Sequence, residues 1–332
     1  MGGFSLLLCC ESTSEERSAG NRHATLCGSR ERVTAPDDPV HKRDSYVMGS
    51  LSEYFDFVAF CPEAGVGLGI PRQPIRLVKL GEEIRAVGTR TPELDPTDDL
   101  AAFAHRAVDE LDDVSGYILK NASPSCGMER VKVYNDKDMP ERIGVGIYAG
   151  VLMERLPLLP VEEEGRLGDA VLRENFIERV FVYHRWQQLM LDGLTAHKLV
   201  EFHADHKYLI MAHSQEAFRQ LGRMVAEAGK VELQQLADAY VADLMAALKR
   251  PVKPRQHVKV LQHLLGYLKD HIDKIDREEM VATIEQYRQG LVPLIVPVTL
   301  IRHHFRRYPD PYVMRQYYLS PHPKELMLRN RI

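Results

Sequence analysis

Phe57-Val58-Ala59-Phe60-Cys61-Pro62-Glu63 decides the fold together with Tyr117-Ile118-Leu119 and the Ser123-Pro124-Ser125-Cys126-Gly127 that follows it. Each is a short apolar run that ends in a turn holding one cysteine. Uninterrupted apolar runs of this length are the pattern of strands buried on both faces, as in a parallel sheet. Proline or glycine stands close behind each cysteine and marks a tight turn. Open α/β sheets bind their ligands at the carboxyl ends of such strands. Two cysteines there suggest thiolates converging on a metal centre or a reacting substrate. The alternative is a pair of small buried hydrophobes.

Working outward, the pattern predicts a helix over Tyr46 to Phe55 and a strand over Asp56 to Phe60. Ile75-Arg76-Leu77-Val78 and Ile84-Arg85-Ala86-Val87 read as a hairpin around Gly81-Glu82. Thr97 caps a helix through about Leu111, with Leu100, Phe103, Ala104, Ala107 and Leu111 on one face. Gly116 to Leu119 and Ile143 to Ile147 read as strands, and Ala149 to Arg155 as a helix. This alternation predicts an α/β domain over residues 41–160 with an open, mainly parallel, Rossmann-like sheet. After Pro157-Leu158-Leu159-Pro160 strand signals nearly vanish. Residues 161–332 predict a separate all-helical domain, with the acidic, proline-bearing stretch as hinge. Residues 1–40 are atypical: from 11 onward they show neither period and read as disordered or as a mistranslated start.

The 332 residues are 45% hydrophobic, enough for two globular domains. A net charge of -4 names no partner, but the stretch from Lys253 onward is basic, a footprint that suits a polyanion. Five unevenly spaced cysteines argue against a disulfide framework and for a reducing cytoplasm. Phe4-Ser5-Leu6-Leu7-Leu8-Cys9-Cys10 is apolar but too short for a membrane span, and no membrane partner is expected.

Several further groups carry chemistry. Glu63, two residues after Cys61, is a candidate acid–base carboxylate, and Ser123 and Ser125 are candidates to orient a carbonyl or a water. Gly65-Val66-Gly67-Leu68-Gly69 mimics a dinucleotide loop but runs into Pro71 and Pro74. Gly144-Val145-Gly146 before a helix is an anion cradle or a close-packing contact. His203, His206 and His213 share one helix face, as a metal group or, better, as a polar or nucleic-acid-facing edge. Arg302, Arg306, Arg307 and Arg315, interleaved with tyrosines, suit phosphate contacts and base stacking, against a helix end whose cations complement its dipole.

His41-Lys42-Arg43-Asp44-Ser45-Tyr46, Cys61-Pro62-Glu63, Gly67-Leu68-Gly69-Ile70-Pro71-Arg72 and Ser123-Pro124-Ser125-Cys126-Gly127 together resemble the thiouracil desulfidase (TudS) family. The helical half resembles a domain of long-unknown function often fused behind it, through Leu159-Pro160-Val161-Glu162-Glu163-Glu164-Gly165, Phe202-His203 to His213-Ser214, and Tyr318-Leu319-Ser320-Pro321-His322-Pro323. The pairing resembles the tRNA 4-thiouridine desulfidases (RudS). The resemblance implies a [4Fe-4S] cluster on three cysteines, one iron being left open for the substrate's sulfur. A water activated by a carboxylate then attacks the ring carbon, and sulfur leaves as hydrosulfide. Cys61 and Cys126 map onto two of the ligands, with Glu63 as acid–base residue, Ser125 as orienting group, and tRNA or a thiolated nucleotide as substrate. The third ligand lies in a loop after the family's first strand. Cys27 stands at a similar distance before His41, and Cys10, after an apolar run, is the alternative. A desulfidase of free thiouracil or thionucleotide, and an RNA- or protein-binding remnant lacking the third thiolate, are the rival readings.

Overall fold

A computed structural model describes residues 4–9, 51, 53–69, 72–111 and 113–331. The chain divides into two compact units, Met1–Gly168 and Asp169–Ile332.

The first unit holds two four-stranded sheets. One is wholly parallel, with β1 (Phe4–Cys9) between β2 (Phe55–Phe60) and β5 (Val114–Leu119), and β8 (Val161–Glu163) outside β5. The other is mixed. The hairpin of β3 (Ile75–Leu80) and β4 (Glu83–Gly88) pairs through β3 in parallel with β6 (Val131–Tyr134), which is antiparallel to β7 (Pro140–Gly144). Gly81 turns the hairpin with φ +64°, a region that favours glycine. Every residue of β5 is buried, as a strand covered on both faces must be. α1 (Pro62–Gly65), α2 (Thr97–Val108) and α3 (Ile147–Arg155) complete the unit. Phe60 stacks on Phe103 of α2 at 5.5 Å, and Tyr148 of α3 lies against both.

Three differences from the sequence reading have physical causes. The ordered domain does not start at residue 41, because Phe4–Cys9 form the sheet's central strand. Their register runs from Phe4 opposite Phe55 to Cys9 opposite Phe60, and Leu6 and Leu7 are buried. Residues 11–40 and most of the expected Tyr46 to Phe55 helix lie outside the described residues. The domain boundary falls after Gly168, not 160, because Val161–Glu163 pair with Tyr117–Leu119 before the chain leaves the sheet. The expected single sheet is two, since Val131–Tyr134, an alternating run, is a strand of the second.

The second unit is helical: α4 (Ala170–Leu191), α5 (Ala196–His213), α6 (Gln215–Val225), α7 (Leu233–Leu248), α8 (Pro254–Tyr267), α9 (Lys274–Arg288), α10 (Ile295–Arg307) and the short α11 (Pro311–Met314). α5 and α6 are separated at Ser214. That residue is extended, and its hydroxyl caps α6 by accepting from Ala217 N at 3.1 Å. Among the described residues no helix is long and apolar enough to cross a membrane.

Candidate active site at the strand ends

Cys61 follows β2 directly, extended, as the N-cap residue of α1, with Pro62 in the first helical position that its missing N–H suits. One turn of helix then turns Glu63 inward. It is only 7% exposed although it carries a carboxylate. Gly65 has to lack a side chain, because a Cβ there would stand 2.3 Å from the Phe103 ring. Gly67 and Gly69 both take positive φ, so the glycine run closes a turn and opens no helix.

The second loop folds around Ser123. Its hydroxyl accepts from Ser125 N at 3.3 Å and Cys126 N at 3.2 Å, and its carbonyl accepts from Gly127 N at 2.8 Å. The start of α3 then grips the loop. Gly146 N donates to Gly127 O, Ile147 N to Pro124 O and Ala149 N to Ser125 O, at 2.8, 3.0 and 3.1 Å. These N–H groups are the ones an anion cradle would need. The close-packing reading of Gly144-Val145-Gly146 therefore holds. A Cβ at Gly146 would lie 2.4 Å from Ser125 O and 2.7 Å from Cys126 N. Both are backbone atoms that cannot swing aside. Gly146→Ala is expected to cost about 1–3 kcal/mol and to shift the Cys126 loop. A thermal melt indistinguishable from wild type would show that the loop yields freely.

Between the two loops runs a chain of polar groups. Ser125 Oγ donates to Glu63 Oε1 at 2.6 Å, and Ser123 Oγ lies 3.0 Å from Ser125 Oγ. Ser123 already accepts two backbone N–H groups, so its proton points to Ser125, and that of Ser125 to the carboxylate. On the other side Arg72 Nε lies 2.5 Å from Glu63 Oε2. Glu63 is thus held on both oxygens while each keeps a second lone pair. Cys126, 1% exposed, has Ser125 Oγ 3.6 Å from its sulfur. Beside β5, Glu163 is buried and accepts from Met128 N at 2.8 Å; burial pushes its pKa up against that bond and the nearby Arg166.

Of the site residues expected from sequence, Glu63, Ser123, Ser125 and Cys126 meet in this network. Cys61 is buried two residues before Glu63. Cys126 is disulfide-bonded, which departs from the all-thiol expectation, and Cys61 is not. Cys10, Cys27 and the Cys9 side chain lie outside the described residues. Among the described residues no three His, Cys, Asp or Glu side chains surround a common metal point. Sequence reasoning missed Arg72 and Glu163. The signal for Arg72 was its place in the Gly67-to-Arg72 motif, and that for Glu163 a carboxylate at the end of an unrecognised strand.

In the helical unit the histidine face is not an edge. His203, His206 and His213 are buried, and each has its own partner: Tyr240 hydroxyl, Phe202 carbonyl, and the Arg250 carbonyl with Glu178. Both the metal and the nucleic-acid-facing readings of them fail on that burial. Arg315 is not an open cation, since it pairs with Asp205 and Glu201. Among those tyrosines Tyr318 is a core residue, which removes it as a stacking platform. Arg306 and Arg307 are exposed, and Arg302, half-buried, lines a cavity of about 230 Å³ with Lys324 and His322.

Comparison with known proteins agrees with this division. Residues 38–164 match the family described as 2-thiouracil desulfurase. Residues 207–323 match a protein family of unknown function, DUF1722. The chain belongs to the 2-thiouracil desulfurase family in its first unit and to the DUF1722 family in its second. Among curated proteins, "Uncharacterized protein YbgA" of Escherichia coli (strain K12) is 35% identical over 153 residues, which is 46% of this chain and 90% of that one. A solved structure described as the [4Fe-4S]-dependent thiouracil desulfidase TudS aligns at 20% identity and a TM-score of 0.32, over 51% of this chain and 95% of its own.

Proposed function

We propose that the chain is an iron–sulfur-dependent, non-redox desulfidase of a thiolated pyrimidine, with 4-thiouridine in tRNA as its substrate. The observation that carries this reading is the Ser125 to Glu63 hydrogen bond, which joins the two cysteine loops through an acid–base residue. Membership in the desulfurase family supports the reaction class.

The donor chemistry suits a [4Fe-4S] cluster. Cys61 and Cys126 are soft, buried ligands at the ends of β2 and β5. Cys9 and Cys10 are the first places to seek the third thiolate, with Cys27, outside the described residues, as the alternative. β1 lies between β2 and β5, and its Cys9 is in register with Phe60, the residue before Cys61. The disulfide at Cys126 has to be reduced first. Held there, the cluster would supply Lewis-acid chemistry toward a soft sulfur, with no net redox change. The protein's part is proton handling. Carbonyl replaces thiocarbonyl at the expense of one water, whose oxygen goes to the ring carbon and whose protons leave with hydrogen sulfide. Glu63 takes the first proton on the lone pair that Ser125 and Arg72 leave open. Ser125, fixed by Ser123, orients the attacking water.

For tRNA, the support is the exposed pair Arg306 and Arg307 and the half-buried Arg302. Neutralising all three with glutamine is expected to weaken tRNA binding at low salt and to lower the salt slope by about one for each phosphate no longer neutralised. An unchanged slope removes the tRNA assignment and leaves free thiouracil or a thionucleotide as substrate. The rival reading is a binding protein without catalysis. Reduction, then anaerobic reconstitution with iron and sulfide, decides between them. The desulfidase gains cluster absorbance and releases hydrosulfide from thiolated tRNA, and Cys61→Ser or Cys126→Ser loses both. A wild-type chain that takes up no cluster, or takes one up and releases nothing, is the remnant.

A further inference from the structure

The second sheet of the first unit has one face in the core and one outside it. Ile75, Leu77, Ala86, Val131 and Val133 turn inward and pack with Leu100 of α2. Side chains alternate along a strand, so the residues between them share the opposite face. Strand register lines three of these up. Lys132 of β6 stands directly opposite Arg142 of β7. Leu77 is in register with Val133, which sets Arg76 one step back beside Lys132. Arg76, Lys132 and Arg142 thus form a row of cations across three strands, ended by Val87 of β4 opposite Arg76. In the next row Val78 stands beside Tyr134, and Tyr134 opposite Pro140.

Like charges directly opposite each other destabilise a sheet. Little offsets them here. Arg76 pairs with Asp138 of the β6–β7 turn at 2.5 Å, but that carboxylate side chain is 70% exposed, and such pairs contribute little. Lys132 and Arg142 are exposed and pair with no carboxylate among the described residues. Glu141 is opposite the buried Val133 and so belongs to the other face. Cations alone would suit any polyanion. Tyr134 narrows the choice. Its ring is half-buried, and the Arg76 guanidinium stands 4.8 Å from the ring centre on one side. With Val78 beside it, the ring offers flat, apolar ground that a base can use and a bare phosphate cannot. An aromatic among cations on the outer face of a four-stranded sheet is a platform on which unpaired RNA bases stack. We infer that this sheet face binds a single-stranded segment of RNA, its phosphates on Lys132 and Arg142 and a base on Tyr134. The inference deepens the tRNA reading and rests on it for the kind of partner, but it stands on residues of the other unit.

Binding of an end-labelled oligouridylate of about twelve nucleotides to the full-length apoprotein, followed by fluorescence anisotropy across salt concentrations, tests it. Replacing Lys132 and Arg142 together by glutamine is expected to lower the salt slope by about 0.7 for each phosphate released. Tyr134→Leu is expected to keep the slope and to weaken binding about fivefold to a hundredfold. Inorganic polyphosphate carries the charges without the bases, and its binding should not respond to Tyr134→Leu, which also shows that this variant is folded. Because the row repels itself, the double variant should melt at or above the wild-type temperature at low salt. A lower melting temperature would make the row a structural device and overturn the inference. So would an unchanged salt slope, wild-type RNA binding by Tyr134→Leu, or a loss of polyphosphate binding equal to that of RNA. Salt slopes for tRNA separate the two readings. If neutralising Arg302, Arg306 and Arg307 lowers the slope and neutralising Lys132 and Arg142 does not, this inference fails alone. The reverse result sinks the assignment made from the helical unit and leaves the sheet face standing.

Discussion

Replacing Glu63 by glutamine is expected to lower hydrosulfide release by about 100- to 10,000-fold, the usual worth of a positioned acid–base group. The amide can still accept from Ser125, so the hydrogen bond that joins the loops survives in outline. What it cannot do is take a proton from water. The change also breaks the buried Arg72–Glu63 pair, and a broken buried pair costs about 3–5 kcal/mol. Activity and stability must therefore be read together. The mechanism predicts a collapse of turnover at temperatures well below the variant's own melting point, with cluster absorbance retained because Cys61 and Cys126 are untouched. Turnover within a few-fold of wild type would remove Glu63 from the reaction. A loss of activity that tracks the loss of folded protein would make it a structural residue only. Arg72→Gln supplies the contrast, since it disturbs the same pair while leaving the carboxylate.

The second large effect is expected from acid, and it falls on the helical unit. Burial holds five of its histidines below the ordinary value of 6.5: His203 and His322 at about 4, His206 at about 3, His257 well below normal, and His184 also lowered. The unfolded chain takes up protons on these rings once the pH drops below 6.5, and the folded chain does not. Stability is therefore full above that value and is lost as the pH falls toward each folded value, by about 1.4 kcal/mol per unit of separation. Glu178 adds a second window. Burial alone would raise its carboxyl, but the His213 hydrogen bond and the His213 and Arg329 charges outweigh burial and hold it at about 2. Its contribution is present above 4.5 and disappears as the pH falls toward 2. Denaturant unfolding followed through Trp186, which lies in this unit, should give a much lower midpoint at pH 4.5 than at pH 7. His206→Phe should flatten that difference. Equal midpoints at the two pH values would mean that the buried rings exchange protons without unfolding.

These two sites differ in how far the sequence foretold them. The cysteine loops were legible because a doubly buried strand leaves an unmistakable apolar run, and the turn behind it has little choice of residues. Glu63 and Ser125 followed from their nearness in sequence to the thiols. Arg72 was not legible, because its reach back to Glu63 depends on how the Gly67 and Gly69 turn closes. Phe4–Cys9 were noticed as apolar, yet only pairing with strands some fifty and a hundred residues away makes them the centre of a sheet. In the helical unit, periodicity put His203, His206 and His213 on one face correctly. It could not say whether that face met water or core, and all three proved to be inside. The tyrosines around Arg315 misled for the same reason: an aromatic among cations looks alike in a binding platform and in a packed interior.

The place of β1 at the centre of its sheet has a consequence for synthesis. The strand that must be flanked on both sides is made before either of its neighbours. β2 can pair with it some fifty residues later, but β5 is complete only at Leu119 and β8 only at Glu163. Through most of that time one edge of an apolar strand stands open, a state prone to mispairing with other chains. A nascent chain stalled before Leu119 would be the form a chaperone holds, and one stalled beyond Gly168 the first that can be released with its sheet closed.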